Sequence, residues 1–93
     1  MGIVFEWDDA KAASNERKHG VSFLEAASTF GDPLSMTIAD PLHSMGEHRY
    51  VLLGRSVAGR LLVVVHVAPD VERIRIISAR VATRSERRAY EDA

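Results

Sequence analysis

Alternating apolar and polar positions divide the chain into eight segments. "IVFEW" (Ile3 to Trp7) alternates and is rich in β-prone residues, which predicts a short first strand. A helix is predicted next, over "DAKAASNERKH" (Asp9 to His19). Asp8 offers an N-cap carboxylate, Asp9 favours the positive end of the dipole, and Gly20 closes the helix in the left-handed conformation. Ser22 opens a second helix, with Glu25 three residues on as a capping box. Phe23, Ala26, Ala27 and Phe30 fall at i, i+3, i+4 and i+7, the cleanest helical stripe in the chain. "GDP" (Gly31 to Pro33) ends it.

Four strands are expected after that point: Leu34 to Ala39, His48 to Ser56, Leu61 to Val67 and Arg73 to Ala79. "AGR" and "PDVE" are the turns between the last three. Connections this short favour an antiparallel meander. "ATRSERRAYEDA", from Ala82, predicts a final helix that docks through Ala82, Glu86, Ala89 and Tyr90. The expected order is β-α-α-β-β-β-β-α. That is an α+β fold, a small, twisted, mainly antiparallel sheet with two helices packed on one face. At 93 residues the chain has no room for a second core, so residues 1–93 are read as one domain.

Composition works by exclusion. There is no cysteine, which removes disulfides, thiolate metal sites and a thiol nucleophile. No basic region followed by a long apolar run opens the chain, so no signal peptide is expected. The most apolar run, Leu61 to Ala68, is far shorter than the ~20 residues that cross a bilayer. A cytoplasmic setting with no membrane contact is expected. The net charge of −1 hides an asymmetry: residues 1–47 sum to −5 and residues 48–93 to +4, and every Lys/Arg of the second half is arginine. Arginine's planar fork suits phosphate or carboxylate. The asymmetry therefore reads either as a phosphate-binding face or as charges paired and solvated at the surface.

No Gly-rich phosphate loop, nucleophile elbow or His-Glu-x-x-His motif is present. His43 and His48 flank a glycine in "HSMGEH", but no third ligand is evident, so neither a metal nor a cofactor is expected. Strand periodicity puts Glu47, Arg49, Val51 and Leu53 on one side of their strand, with His48, Tyr50 and Leu52 on the other. Leu62, Val64 and His66 line up on the next strand. Arg73, Arg75 and Ile77 oppose Ile74, Ile76 and Ser78 on the last. Arg80 is expected just past that strand, at the start of the final helix, which adds Arg84, Arg87 and Arg88.

A ribonuclease without a metal needs a group to take the ribose 2′-OH proton, a cation on the developing phosphorane, and a proton for the leaving 5′-oxygen. Glu47, His66 and His19 are the candidates for proton transfer. Arg49, Arg80 and Lys18 are the candidate cations, and Arg73, Arg75, Arg84, Arg87 and Arg88 are candidate RNA contacts. Plainer readings stand beside these. A histidine in an apolar strand is often a buried packing residue, Glu47 and Arg49 pair with neighbours, and Arg80 binds a carboxylate.

Several segments together carry a resemblance: "FEWD" (Phe5–Asp8), "NERKHGVSF" (Asn15–Phe23), "FGDP" (Phe30–Pro33), "EHRYVLLGRSVAGRLLVVVH" (Glu47–His66) and "RIRIISARVATRSERRAYE" (Arg73–Glu91). In this order and spacing the chain resembles the BrnT family of type II toxin–antitoxin toxins over nearly its whole length. The resemblance implies a fold similar to RelE-like ribonuclease toxins and RNA cleavage that inhibits translation and growth. It implies as partner a BrnA-like ribbon-helix-helix antitoxin, in a heterotetramer that reaches operator DNA mainly through the antitoxin. Lys18, His19, Glu47, Arg49, His66 and Arg80 fall on family-matched polar positions. One departure is visible: where family members often continue with a polar stretch such as Thr-Glu-Arg, this chain has Val67, Ala68 and Pro69. That departure favours the alternative of a non-catalytic toxin, acting as an antitoxin-binding module and co-repressor.

Overall fold

The computed structural model describes residues 2–40 and 47–93. His43, and with it the His43–His48 pair, lies outside the described residues. The elements are β1 (Val4–Glu6), α1 (Asp9–His19), α2 (Phe23–Ser28) running into a 3₁₀ turn (Thr29–Gly31), β2 (Met36–Ala39), β3 (Arg49–Arg55), β4 (Leu61–Asp70), β5 (Arg73–Val81) and α3 (Arg84–Glu91). They build a five-stranded sheet in the order β1-β5-β4-β3-β2. Strands β2 to β5 pair antiparallel, whereas β1 lies parallel to β5 with Phe5 opposite Ile74, so the sheet is mixed.

Local chemistry sets the helix ends. Asp8 accepts the Lys11 N–H at 3.0 Å, and Gly20 closes α1 at φ 69°, a left-handed conformation that costs glycine little. At α2 Ser22 accepts the Glu25 N–H at 3.0 Å, but the expected capping box is only half made. The Glu25 carboxylate turns away to the Ser56 hydroxyl at 2.7 Å and the Arg60 guanidinium at 3.0 Å. The complete box is at α3, where Thr83 accepts the Glu86 N–H and Glu86 accepts the Thr83 N–H. α3 docks through half-buried Glu86, Arg87 and Tyr90, while Ala89, expected on the docking side, is exposed. The Tyr90 hydroxyl donates to Asp32 at 2.7 Å.

Two strands outrun their expected ends. β4 passes through Ala68 and Pro69 to Asp70 by way of an irregularity, leaving Val71 and Glu72 for the turn. β5 continues to Val81 opposite Leu62, and the Ala82 N–H still bonds Leu61 C=O at 2.9 Å. Arg80 is therefore a strand residue, not the first residue of the last helix.

α1 and α2 cover one face of the sheet. The core between them holds Val21, Phe23, Ala26, Leu52, Leu62, Val64, Ile76 and Ala79. Gly54 lets the 3₁₀ turn sit directly on β3: a Cβ there would stand 3.0 Å from Leu52 Cδ2 and 3.2 Å from Thr29 C=O. Buried Asn15 is the polar pin of this face. Its Nδ2 donates to Val21 C=O and Ala79 C=O, both at 2.9 Å, and its Oδ1 accepts the Ala79 N–H at 3.1 Å.

β5 carries a register shift that simple alternation misses. Val65 faces Ser78 and His66 faces Ile76, so Ile77 is an extra residue. Strict alternation puts Ser78 with Ile76, and Arg80 opposite Arg73 and Arg75. The bulge reverses this. Ile76 and Ala79 both point into the core, and Ser78 and Arg80 join Arg73 and Arg75 on the opposite face.

Candidate active site

The face away from α1 and α2 carries most of the candidate chemistry. Its apolar floor is a trough of about 160 Å³ lined by Met36, Ile38, Val51, Leu53, Val63 and Glu86. Charged side chains stand on this face in two clusters.

The first cluster spans β1, β5, the end of β4 and the segment that leads into β3. Arg75 Nε donates to Glu6 Oε2 at 3.0 Å, and Arg75 Nη1 lies 3.4 Å from Glu47 Oε1. Arg73 Nε donates to Asp70 Oδ2 at 2.8 Å and its Nη1 reaches Glu6 at 3.4 Å. The Asp70 hydrogen bond and the nearby negative charges raise the Arg73 pKa, and the same hydrogen bond, with the Glu72 N–H, holds Asp70 below the usual carboxylate range. Arg49 faces Val67, which faces Arg75, so the two arginines share a row two strands apart, about 10 Å.

The second cluster is Arg80 with Glu86. Arg80 pairs across to Val63, four residues along β4 from Val67, or about 13 Å. Its guanidinium grips Glu86 with both terminal nitrogens, at 2.8 and 2.9 Å. That hydrogen bond, helped by the Thr83 backbone and hydroxyl and opposed by burial, lowers the Glu86 pKa to about 2. The Arg80 pKa is raised by the same contact.

Lys18 and His19 occupy a third place. They end α1 and line a cleft of about 220 Å³ with Lys11, Ser14, Asn15, Ile77 and Ser78. The cleft exists because β1 pairs only with residues 73 to 75 of β5, so the rest of that edge has no strand beside it. The Asn15 amide takes both backbone groups of Ala79 there, in place of a neighbouring strand.

His66 does not join any of these groups. It points to the helix-covered face at 5% exposure, edge-on to Phe30 with ring centroids 4.8 Å apart and stacked on Tyr50 at 5.7 Å. Burial pushes its pKa below the ordinary value, weakly opposed by Val64 C=O at 3.4 Å. This is the plainer reading of a histidine in an apolar strand. Arg84 and Arg88 are exposed on α3 and Arg87 is half-buried, none with a carboxylate partner among the described residues.

Sequence reasoning passed over Lys11 and Ser14, gave Ser78 no role, and allowed Arg80 a carboxylate without identifying Glu86 as the partner. Two signals were available. Lys11, Ser14 and Lys18 stand at i, i+3 and i+7 on one helix face, and Thr83-x-x-Glu86 is a capping-box pattern.

The chain as a whole is similar to known proteins. Residues 7–86 match the family model described as "Ribonuclease toxin, BrnT, of type II toxin-antitoxin system". No curated protein sequence matches the chain. Among solved structures, the 1.1 Å crystal structure of the Brucella abortus ribonuclease toxin BrnT is similar in fold. Its TM-score is 0.62 at 22% identity, over 90% of this chain and 99% of that one.

Proposed function

We propose, since the chain belongs to the BrnT family of ribonuclease toxins of type II toxin–antitoxin systems, that it cuts RNA on the open face of its sheet without a metal. As a member of that family it is a ribonuclease toxin with an antitoxin for a partner. The observation that carries the mechanism is the grouping of Glu47, Arg49 and Arg75 on this face: Arg49 and Arg75 flank Val67, and Glu47 lies 3.4 Å from Arg75. The extra residue at Ile77 adds Ser78 and Arg80 to the same face.

In this mechanism Glu47, exposed two residues before β3, takes the proton of the ribose 2′-OH. The 2′-oxygen attacks the phosphorus and the P–O5′ bond breaks, leaving a 2′,3′-cyclic phosphate. Arg49 and Arg75 face the charge that builds on the phosphorane oxygens. The 5′-oxygen leaves with a proton from solvent, which reaches this open face. Arg80, Lys18 and His19 hold the flanking strand, and Arg73, Arg84, Arg87 and Arg88 extend the cationic surface. His66 serves packing rather than proton transfer.

The partner in this reading is a BrnA-like ribbon-helix-helix antitoxin, in a heterotetramer that contacts operator DNA through the antitoxin. The fold is read as RelE-like, in one domain, and the setting as cytoplasmic. Among the described residues no helix is long and apolar enough to cross a membrane.

Purified protein tests the mechanism on RNA in excess EDTA. The expected result is cleavage with 2′,3′-cyclic ends. Glu47→Gln and Arg49→Ala are each expected to lower kcat by about 10²-fold or more. A requirement for divalent metal removes the mechanism. Tight antitoxin binding without cleavage replaces it with the non-catalytic reading, and full activity in Glu47→Gln removes the assigned base.

A further inference from the structure

We infer that the cleft between α1 and the unpaired edge of β5 is a subsite for the backbone of single-stranded RNA beside the cut, with Lys11, Ser14 and Lys18 as its phosphate-binding stripe. The inference rests on the ribonuclease reading and adds to it a second stretch of substrate.

The lining is the first argument. Lys11, Lys18 and His19 bring positive or protonatable groups, Ser14 and Ser78 bring hydroxyls, and no carboxylate lines the cleft. The contrast with the sheet arginines is the second. Arg73, Arg75 and Arg80 are each held by a carboxylate, so a phosphate that binds them first displaces Asp70, Glu6, Glu47 or Glu86. Lys11, Lys18 and His19 have no ion-pair partner among the described residues, so a phosphate arriving at the cleft displaces none of those carboxylates.

Geometry supplies the third. Positions i, i+3 and i+7 share a helix face, and Lys11 to Lys18 spans about 10 Å of axis. That run is longer than one phosphate group. The floor is firm, because Asn15 at its centre is tied to Val21 and Ala79. Ser78 lies in the cleft and on the same strand face as Arg75 and Arg80, so a strand leaving the cleft passes onto the proposed catalytic face. The lining holds no Phe, Tyr or Trp on which a base would stack. The contact is therefore with the backbone and indifferent to sequence.

The test compares wild type with Lys11→Ala, Lys11→Glu and Arg17→Glu. Lys11 is exposed, and Arg17 is an exposed cation of the same helix that does not line the cleft. On an RNA long enough to reach past the cut, Lys11→Glu is expected to raise KM by about tenfold, with kcat changed much less. Lys11→Ala should make the slope of log KM against log salt shallower by about 0.7, the value for one lost phosphate contact on a single strand. RNAs of different sequence should respond alike. Anisotropy with a 2′-O-methyl RNA, which has no nucleophile, reads the same contact without cleavage. Loss of cleavage by wild type therefore sinks the mechanism while this arm still measures the cleft. Unchanged binding of that RNA by Lys11→Glu overturns the subsite, as does an equal loss in Arg17→Glu or a loss that follows base sequence.

Discussion

Replacing Asn15 by alanine removes the joint between α1 and the edge of β5, and its cost can be worked from the contacts. The side chain is 7% exposed and takes part in three hydrogen bonds, to Val21 C=O, Ala79 C=O and Ala79 N–H. A net hydrogen bond contributes about 1 kcal/mol, and a buried group left without a partner costs about 1–3 kcal/mol. The edge of β5 lies beside an open cleft, so water recovers part of the loss. About 3 kcal/mol is the resulting expectation. For a domain of this size each kcal/mol moves Tm by about 4–8 °C, so a fall of roughly 15 °C follows. Urea denaturation followed by circular dichroism, with thermal melts beside it, measures the change. Asn15→Asp is the stricter variant, since it keeps the acceptor for the Ala79 N–H but loses both donors and sets a negative charge against two carbonyls. A loss below about 1 kcal/mol in Asn15→Ala, with an unchanged m-value, would refute the joint as a stabilising element.

Two further outcomes follow from the electrostatics. Glu86 has a folded pKa of about 2 against an ordinary 4.5, so its pairing stabilises the fold fully above 4.5 and is lost as pH falls toward 2. Glu86→Gln should be less stable than wild type at neutral pH, with the difference shrinking across that window. Because Glu25, Asp32 and Asp70 are also lowered, the wild-type-minus-variant difference is the quantity to measure by chemical denaturation. A gap that stays constant down to pH 2 would refute the pairing. His66→Phe keeps the aromatic contacts with Phe30 and Tyr50 and should retain kcat within about tenfold, whereas loss of a general acid or base costs about 10²–10⁴. A kcat loss in that larger range would return His66 to the chemistry.

Helix α1 was legible residue for residue because both of its ends are chemical. A carboxylate stands at Asp8, a glycine at Gly20, and Asp9 to His19 run between them. The strand ends were less legible. Pro69 lacks an N–H and reads as a turn residue, yet β4 carries it through an irregular stretch where the ladder is already broken. The parallel pairing of β1 with β5 was beyond alternation, since a short strand says nothing about which edge it joins. The bulge at Ile77 had no signal in the sequence either. "RIRIISAR" alternates well enough to suggest one unbroken register. The shift becomes visible only in the cross-strand partners and in the grip of Asn15 on Ala79. That one residue decides whether Arg80 shares a face with Arg75.

The charge asymmetry allowed a phosphate-binding face or paired surface charges, and much of it is pairing between the two halves of the chain. Glu6 and Glu47 from the acidic half hold Arg75, Glu6 also reaches Arg73, and Glu25 holds Arg60. Among the described residues, cations without a carboxylate partner include Lys11, Lys18 and His19 and the arginines of α3, so a count of arginines alone does not give the first contact for a phosphate. The pairing has a use in the proposed mechanism. The Arg75–Glu47 contact is 3.4 Å long, with side chains 39% and 48% exposed, and exposed pairs of this kind contribute at most about 1 kcal/mol. A scissile phosphate that draws Arg75 to itself therefore opens the pair at small cost. The same movement leaves the Glu47 carboxylate without its cation, beside the substrate whose 2′-proton it takes. The contact that keeps Glu47 engaged in the free protein is thus the one that substrate binding removes.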